Sequence, residues 1–289
     1  MRYRFIQQEQ ARYPLTVLCH VLKVSRSGYY AFVKRDGGEL EAEAEQALLA
    51  AVRRLHRESR WTYGQRRLCQ ALQAAGYRVG RYRTRTLMRQ AGVRVRRKRP
   101  WVPRTTESRH ASPVAPNLLN RQFAVAAPNR VWGSDLTYLP TQEGWVYLAI
   151  VVDLFSRKVV RWAMAAMMET SLVEAALEMA IGRRQPPPGL LHHSDRGSQY
   201  ASRAYQTLLQ RQQMRCSMSR KGNCWDNAVV ERVFGSLKGE GLPEQPGDTR
   251  ALVQAETIEY LEMFYNSHRL HSTLGYLSPN DFEAQARAG

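Results

Sequence analysis

Cysteine, long apolar runs and, over the first third of the chain, acidic residues are all scarce in this 289-residue sequence. The four cysteines, Cys19, Cys69, Cys216 and Cys224, form no C-x-x-C pair, which argues against a zinc ribbon or redox dithiol and for reduced thiols. No apolar stretch reaches the roughly 20 residues of a membrane span. The opening Met-Arg-Tyr-Arg-Phe is not followed by an apolar signal segment. The expectation is a cytoplasmic, nucleoid-associated protein with no membrane partner. No heptad run able to form a leucine zipper is present.

What the sequence has in excess is positive charge, +18 with a pI near 10.2. Its placement is uneven. Residues 1–110 carry 25 Lys/Arg against 8 Asp/Glu, whereas residues 111–289 carry 18 against 17. A charge concentrated in this way points to a polyanion, because binding DNA phosphates releases condensed counterions. A basic surface kept only for solubility is the alternative.

The apolar pattern divides the chain into a helical first part and a mixed second part. Leu15, Leu18, Cys19 and Leu22 keep helical spacing, and Ser25 suits the N-cap of a second short helix bearing Arg26, Tyr29 and Tyr30. Residues 1–38 therefore read as a helix-turn-helix-like segment or an ordinary helical hairpin. A helix over 39–59 and a further pair over 64–91 form a second HTH-like unit, 39–93. Leu68, Leu72, Leu87 and Met88 face inward, and Arg81, Arg83, Arg85 and Arg89 offer a basic face. Residues 94–122 are a basic, proline-bearing linker containing Arg96, Arg97, Lys98 and Arg99. Residues 131–139, 145–155 and 158–167 then read as consecutive antiparallel strands. A helix over 171–183 with Leu172, Ala175, Ala176 and Met179 on one face follows, then a strand at 189–193, a helix at 202–213, a strand at 215–219 and a helix from Ala228 to about 239. This β-β-β-α-β-α-β-α order is that of a ribonuclease-H-like α/β core with a five-stranded mixed sheet, here over 123–245. Residues 246–289 add a long helix over 248–267 and an irregular apolar tail.

Three acids have contexts that surface acids lack. Asp135 falls in the first strand and Asp195 just past the fourth, two strands that neighbour each other in this topology. Glu231 lies beside the apolar stripe Val229, Val230, Val233, Phe234 and Leu237 of the helix after 227, with Lys238 seven residues on and within reach of a phosphate. Unpaired carboxylates among apolar strands are costly unless compensated. Hard divalent cations compensate them: magnesium prefers oxygen ligands, and two ions about 4 Å apart clamp both oxygens of an in-line phosphoryl displacement. The expectation is two Mg2+ (or Mn2+) ions held by Asp135, Asp195 and Glu231; an ion pair with Arg or Lys is the alternative. Asp153 suits a turn, Asp226 with Asn227 suits an N-cap, and His193 suits either a phosphate contact or a structural hydrogen bond.

The segments VWGSDLTY (131–138), WVYLAIVVDLFSRK (145–158), HHSDRGSQY (192–200), SMSRKGNCWDNAVVERVFGSLKGE (217–240) and YNSHRLHSTLGYLSP (265–279) resemble those of integrase-core DDE transposases, with 35 residues between Asp195 and Glu231. Together with SRSGYYAF and WTYGQRRLCQAL they make nearly the whole chain similar to the second-reading-frame (OrfB) product of the IS-three group of insertion sequences. No His/Cys spacing in residues 1–60 matches the zinc site of retroviral integrases. The resemblance implies metal-dependent DNA cleavage and strand transfer by a copy-out, paste-in route. It implies that Asp135, Asp195 and Glu231 are metal ligands, that Lys238 contacts terminal DNA, and that Ser219, Arg220, Lys221 and Asn223 form a loop near substrate. It further implies terminal inverted repeats and target DNA as partners, an upstream OrfA-type product or its fusion, and homo-oligomers on DNA. A catalytically inactive DNA-binding regulator of transposition is the alternative. Arg161 departs from the group's pattern, where Gly is common.

Overall fold

A computed structural model describes residues 2–96, 113–242 and 248–288. They form two compact units, one of residues 1–58 and 64–94, the other of residues 59–63 and 95–289.

The first unit is all-α: α1 (Arg2–Glu9), α2 (Leu15–Val21), α3 (Arg26–Glu58), α4 (Gln65–Ala74) and α5 (Arg81–Gln90). Ser25 begins α3, its Oγ accepting from the Gly28 N–H at 3.0 Å. The two helices expected over 25–33 and 39–59 are one 33-residue helix that runs through the Gly37-Gly38 step. Two glycines cost a helix about 2 kcal/mol, which the packing of both ends outweighs: Tyr29 seats on Ile6, Leu18 and Cys19 at one end, and Val52 and His56 are buried at the other. Leu68, Leu72 and Leu87 are buried as expected.

The second unit is built on a five-stranded sheet of β1 (Val131–Thr141), β2 (Gly144–Asp153), β3 (Val159–Ala165), β4 (Leu191–Ser194) and β5 (Arg215–Met218). The order is β3-β2-β1-β4-β5, with β1–β3 antiparallel and β4 and β5 parallel to β1 and to each other. This is the five-stranded mixed sheet that the element order predicts. Helices α6 (Thr170–Arg184), α7 (Ser198–Ala201) and α8 (Arg203–Arg211) share a core with Trp132, Leu136, Ala149 and Val151. The buried face of α6 is Leu172, Val173, Ala176, Leu177 and Ala180; Met179 is exposed. Apolar residues on every side of this helix concealed which stripe faces the sheet.

After α9 (Ala228–Ser236) the backbone passes into a π-turn over Leu237–Gly241, and after α10 (Arg250–Ile258) into a second π-segment over Glu259–Tyr265. The expected irregular tail instead ends in α11 (Pro279–Ala288). Its start was written in Ser278-Pro279-Asn280-Asp281: Ser278 Oγ accepts from the Asp281 N–H at 3.2 Å, and Pro279 takes the first helical position. Buried Glu283 pins α11 through Arg184 (2.6 Å), Lys158 (3.6 Å) and Ser156 Oγ (2.7 Å).

Candidate active site

Side chains alternate across a strand. Trp132 and Leu136 of β1 enter the core shared with α6 and α8, so Gly133, Asp135 and Thr137 face the other side. There α9 packs so closely that a Cβ on Gly133 would lie 2.7 Å from Val230 Cγ2. The glycine two residues before Asp135 thus lets the helix that bears Glu231 approach the strand. In the parallel β1–β4 register Gly133 pairs with His193, which puts Asp135 level with Asp195 just beyond β4. Asp135 accepts from the Leu136 N–H and Asp195 from the Gly197 N–H, both at 2.8 Å. The fold therefore brings together the three carboxylates that the sequence singled out.

Their electrostatics share one cause. Burial, then the charges of Asp195 and Glu231, push the Asp135 carboxyl well above the usual carboxylate range, against the Leu136 N–H and the Lys238 charge. Burial and then Asp195 raise Glu231 likewise. Burial lowers Lys238 to about 8, although Asp135 opposes the shift, and its Nζ lies 5.5 Å from the centre of the Tyr138 ring. Sequence reasoning passed over Tyr138, whose place in the VWGSDLTY segment was the available signal. Among the described residues no three His, Cys, Asp or Glu side chains already close around one point.

The loop before α9 has a different anchor. Asp226 is fully buried and accepts from Arg220 (Nε 2.9, Nη2 2.8 and backbone N 3.0 Å), Arg121 (2.9 Å) and Asn117 (2.8 Å). These bonds, those from Arg220 foremost, hold its carboxyl far below the usual range despite burial. The sequence reading of Asp226 and Asn227 as N-caps is corrected in part: Asn227 stands at the N-cap position of α9, but neither side chain makes a capping bond, and Asn227 Nδ2 instead donates to the Ser134 carbonyl at 3.2 Å. Helix-start residues pulled inward by buried partners are not told from caps by sequence. Arg220, expected at DNA, spends its guanidinium on Asp226, while Lys221 is exposed and Asn223 half-buried. Ser219 is buried, and Trp225, unremarked in sequence, is 68% exposed. His193 is structural, with Nδ1 2.8 Å from Ser217 Oγ and Nε2 3.2 Å from Ser219 Oγ. Asp153 serves a turn as expected, accepting from the N–H groups of Phe155 (2.9 Å) and Asn129 (2.7 Å). Arg161 pairs with Glu262 at 3.7 Å.

In the helical unit Arg81, Arg83, Arg85 and Arg89 are all exposed on α5. Arg83 pairs with Glu45, and Arg81 stacks on Tyr82 at 5.4 Å. Arg96 donates to the Leu242 carbonyl at 2.6 Å, a structural contact in the second unit. Arg97, Lys98 and Arg99 lie outside the described residues.

Residues 125–224 match an integrase core domain model, residues 212–279 a second integrase core model, and residues 43–101 an HTH-like domain. The chain is 40% identical to the transposase InsF of insertion sequence IS3A from Escherichia coli (strain K12), covering 98% of both chains. It belongs to the IS3 group of insertion-sequence transposases. Another relative is the uncharacterized 31 kDa protein of insertion element IS600 from Shigella sonnei, 44% identical over 92% of this chain and 97% of that one. Solved structures give more distant likenesses. The simian T-cell lymphotropic virus intasome in complex with PP2A regulatory subunit B56 gamma has 17% identity and a TM-score of 0.43 over 80% of this chain and 73% of that one. The HTLV-2 integrase catalytic core in complex with magnesium has 18% identity and a TM-score of 0.41 over 54% of this chain and 97% of that one. As an IS3-group transposase with an integrase core, the chain is a polynucleotidyl transferase of DNA transposition, and these relatives lend no support to the inactive-regulator alternative. Among the described residues no helix is long and apolar enough to cross a membrane.

Proposed function

We propose that Asp135, Asp195 and Glu231 are the catalytic carboxylates of this transposase and hold two divalent ions, magnesium or manganese. The supporting observation is that three acids, from β1, the end of β4 and α9, lie within electrostatic reach of one another, and that burial and this repulsion raise Asp135 and Glu231. An all-oxygen set of this kind suits a hard cation, whose charge relieves the repulsion. Held there, divalent ions would supply activation of a water or 3′-hydroxyl and stabilisation of the leaving 3′-oxygen. Asp135, on the central strand, would hold the ions together with Asp195 and Glu231. Lys238 contacts a phosphate at the transposon end. The loop of Arg220, Lys221 and Asn223, with Trp225, faces DNA, joining cation and aromatic as single-strand grooves do.

Arg81, Arg85 and Arg89 of α5 bind phosphates of the terminal inverted repeats and target, and Arg97, Lys98 and Arg99 add their charge to DNA binding. The partners are an OrfA-type product and further copies of the chain on DNA. The setting is the bacterial cytoplasm. The test is strand transfer on terminal-repeat DNA with magnesium and the upstream partner. Asp195→Asn and Glu231→Gln should abolish cleavage and joining while DNA binding persists. Undiminished joining by Asp195→Asn overturns the assignment.

A further inference from the structure

A second buried charge cluster lies two residues past Lys238. Glu240 and Arg269 are 7% and 5% exposed. Arg269 grips both Glu240 oxygens, Nε to Oε2 at 2.6 Å and Nη2 to Oε1 at 2.8 Å, and Tyr260 OH donates to Oε2 at 3.0 Å. Arg269 also lies over the Tyr265 ring at 5.7 Å. Tyr63 fastens the backbone on either side of Arg269, donating to the His268 carbonyl (3.1 Å) and accepting from the Leu270 N–H (2.8 Å). Gly241 seats against Tyr260, where a Cβ would lie 2.5 Å from Cγ. Arg60 adds ion pairs to Glu259 (2.8 Å) and Glu256 (3.5 Å).

The backbone so gripped is the π-turn Leu237–Gly241, which carries Lys238. A π-turn is a rare insertion in an α-helix and is often found at functional sites. A buried ion pair adds little stability over an apolar replacement of the same shape. A two-pronged Arg–carboxylate pair does, however, fix direction. What this pair fixes is the turn that sets Lys238 beside Asp135 and over Tyr138.

We infer that Glu240 and Arg269 are positioning residues for strand transfer, acting through Lys238: the closing YNSHRLHSTLGYLSP segment aims that lysine at the terminal phosphate. The inference rests on the assignment of Lys238 as a DNA contact.

A double-mutant cycle on the full-length protein with its upstream partner tests it. Strand transfer is measured for Arg269→Lys, Lys238→Ala and the pair, with Mn2+ binding and the thermal midpoint followed in each. Arg269→Lys keeps the charge but loses the fork, and it should lower kcat/KM on terminal DNA about tenfold with Mn2+ binding unchanged. In the Lys238→Ala background it should cost nothing further. Equal losses in both backgrounds make the pair a structural element only and overturn the inference. No loss in Lys238→Ala alone removes the lysine assignment and this inference with it, and so separates the two failures. Should Arg269→Lys fail to fold, Tyr260→Phe removes one bond to Glu240 and serves in the same cycle. It should give a two- to threefold loss that again vanishes without Lys238, and persistence of that loss overturns the inference.

Discussion

Asp135 and Asp226 are two aspartates of one unit with opposite electrostatics. Asp226 receives hydrogen bonds from two arginines, an asparagine and a backbone N–H, and its carboxyl is held far below the usual range. Asp135 receives one backbone N–H, faces two further carboxylates and has its carboxyl raised. The protein supplies the counter-charge for the first and leaves the second in deficit. A buried acid that the fold compensates is a structural part; one left uncompensated awaits a ligand.

The largest expected effect breaks the comparison at Asp135. Asp135→Asn should lower strand transfer about a thousandfold or more, since a metal ligand acts as a unit with its neighbours. Its thermal midpoint in a chelator should nevertheless equal or exceed that of the parent, because a repelled charge has gone. Magnesium should raise the parent's midpoint and leave the variant's unmoved. A variant destabilised in chelator, or still stabilised by magnesium, contradicts the reading of Asp135 as an unmet charge. Asp226→Asn should behave in the reverse sense. It loses charge-assisted bonds at a fully buried site, but Arg121 and Arg220 are 46% and 47% exposed and can turn to water. A loss of about 2 kcal/mol in a denaturant titration follows, with no change in magnesium binding.

The buried histidines beside the site give a smaller effect with a definite sign. Burial lowers His192 to about 3 and His193 to about 4. Both are therefore neutral in the folded protein at pH 5.5, while in the unfolded chain they protonate near 6.5. The unfolded state binds more protons below that value, so their contribution to stability is whole above about pH 7 and declines as pH falls toward the folded values. Between pH 7 and 5.5 each should cost about 1 kcal/mol. Replacing His193, whose two nitrogens bond Ser217 and Ser219, by Gln should flatten the dependence by half. An unchanged slope in that variant refutes the assignment of the neutral form.

How much of this could be read beforehand depended on range. The sheet and its order were legible, and the three acids could be singled out, because strand periodicity and the flanking motifs are local signals. Continuity of α3 through Gly37-Gly38 was not, because distant packing overrides a local breaker. The capping bonds expected of Asp226 and Asn227 failed because nothing local says which partner a side chain takes: Asp226 takes Arg220 six residues back together with the distant Arg121 and Asn117, and Asn227 takes the Ser134 carbonyl. The helix begun by Ser278-Pro279 was readable and was missed, since the apolar residues before it have no clear period. The π-turn and the Glu240–Arg269 pair left no sequence signature, because both arise from a long-range contact across 29 residues.

The smallest expected effect compares neighbours on one loop. Arg220 is bound to Asp226, whereas Lys221 is exposed and no ion pair to it is found among the described residues. If paired charges serve structure and solvated ones serve DNA, the two alanine variants should separate cleanly. Lys221→Ala should keep its thermal midpoint and weaken binding of terminal DNA a few-fold. It should also reduce the slope of log affinity against log salt by about 1, the loss of one phosphate contact. Arg220→Ala should lower the midpoint and leave that slope nearly intact. A salt slope that falls for Arg220→Ala and not for Lys221→Ala reverses the assignment. The guanidinium must then release Asp226 on meeting DNA, and Asp226 would no longer be the compensated member of the comparison but a gate on the loop.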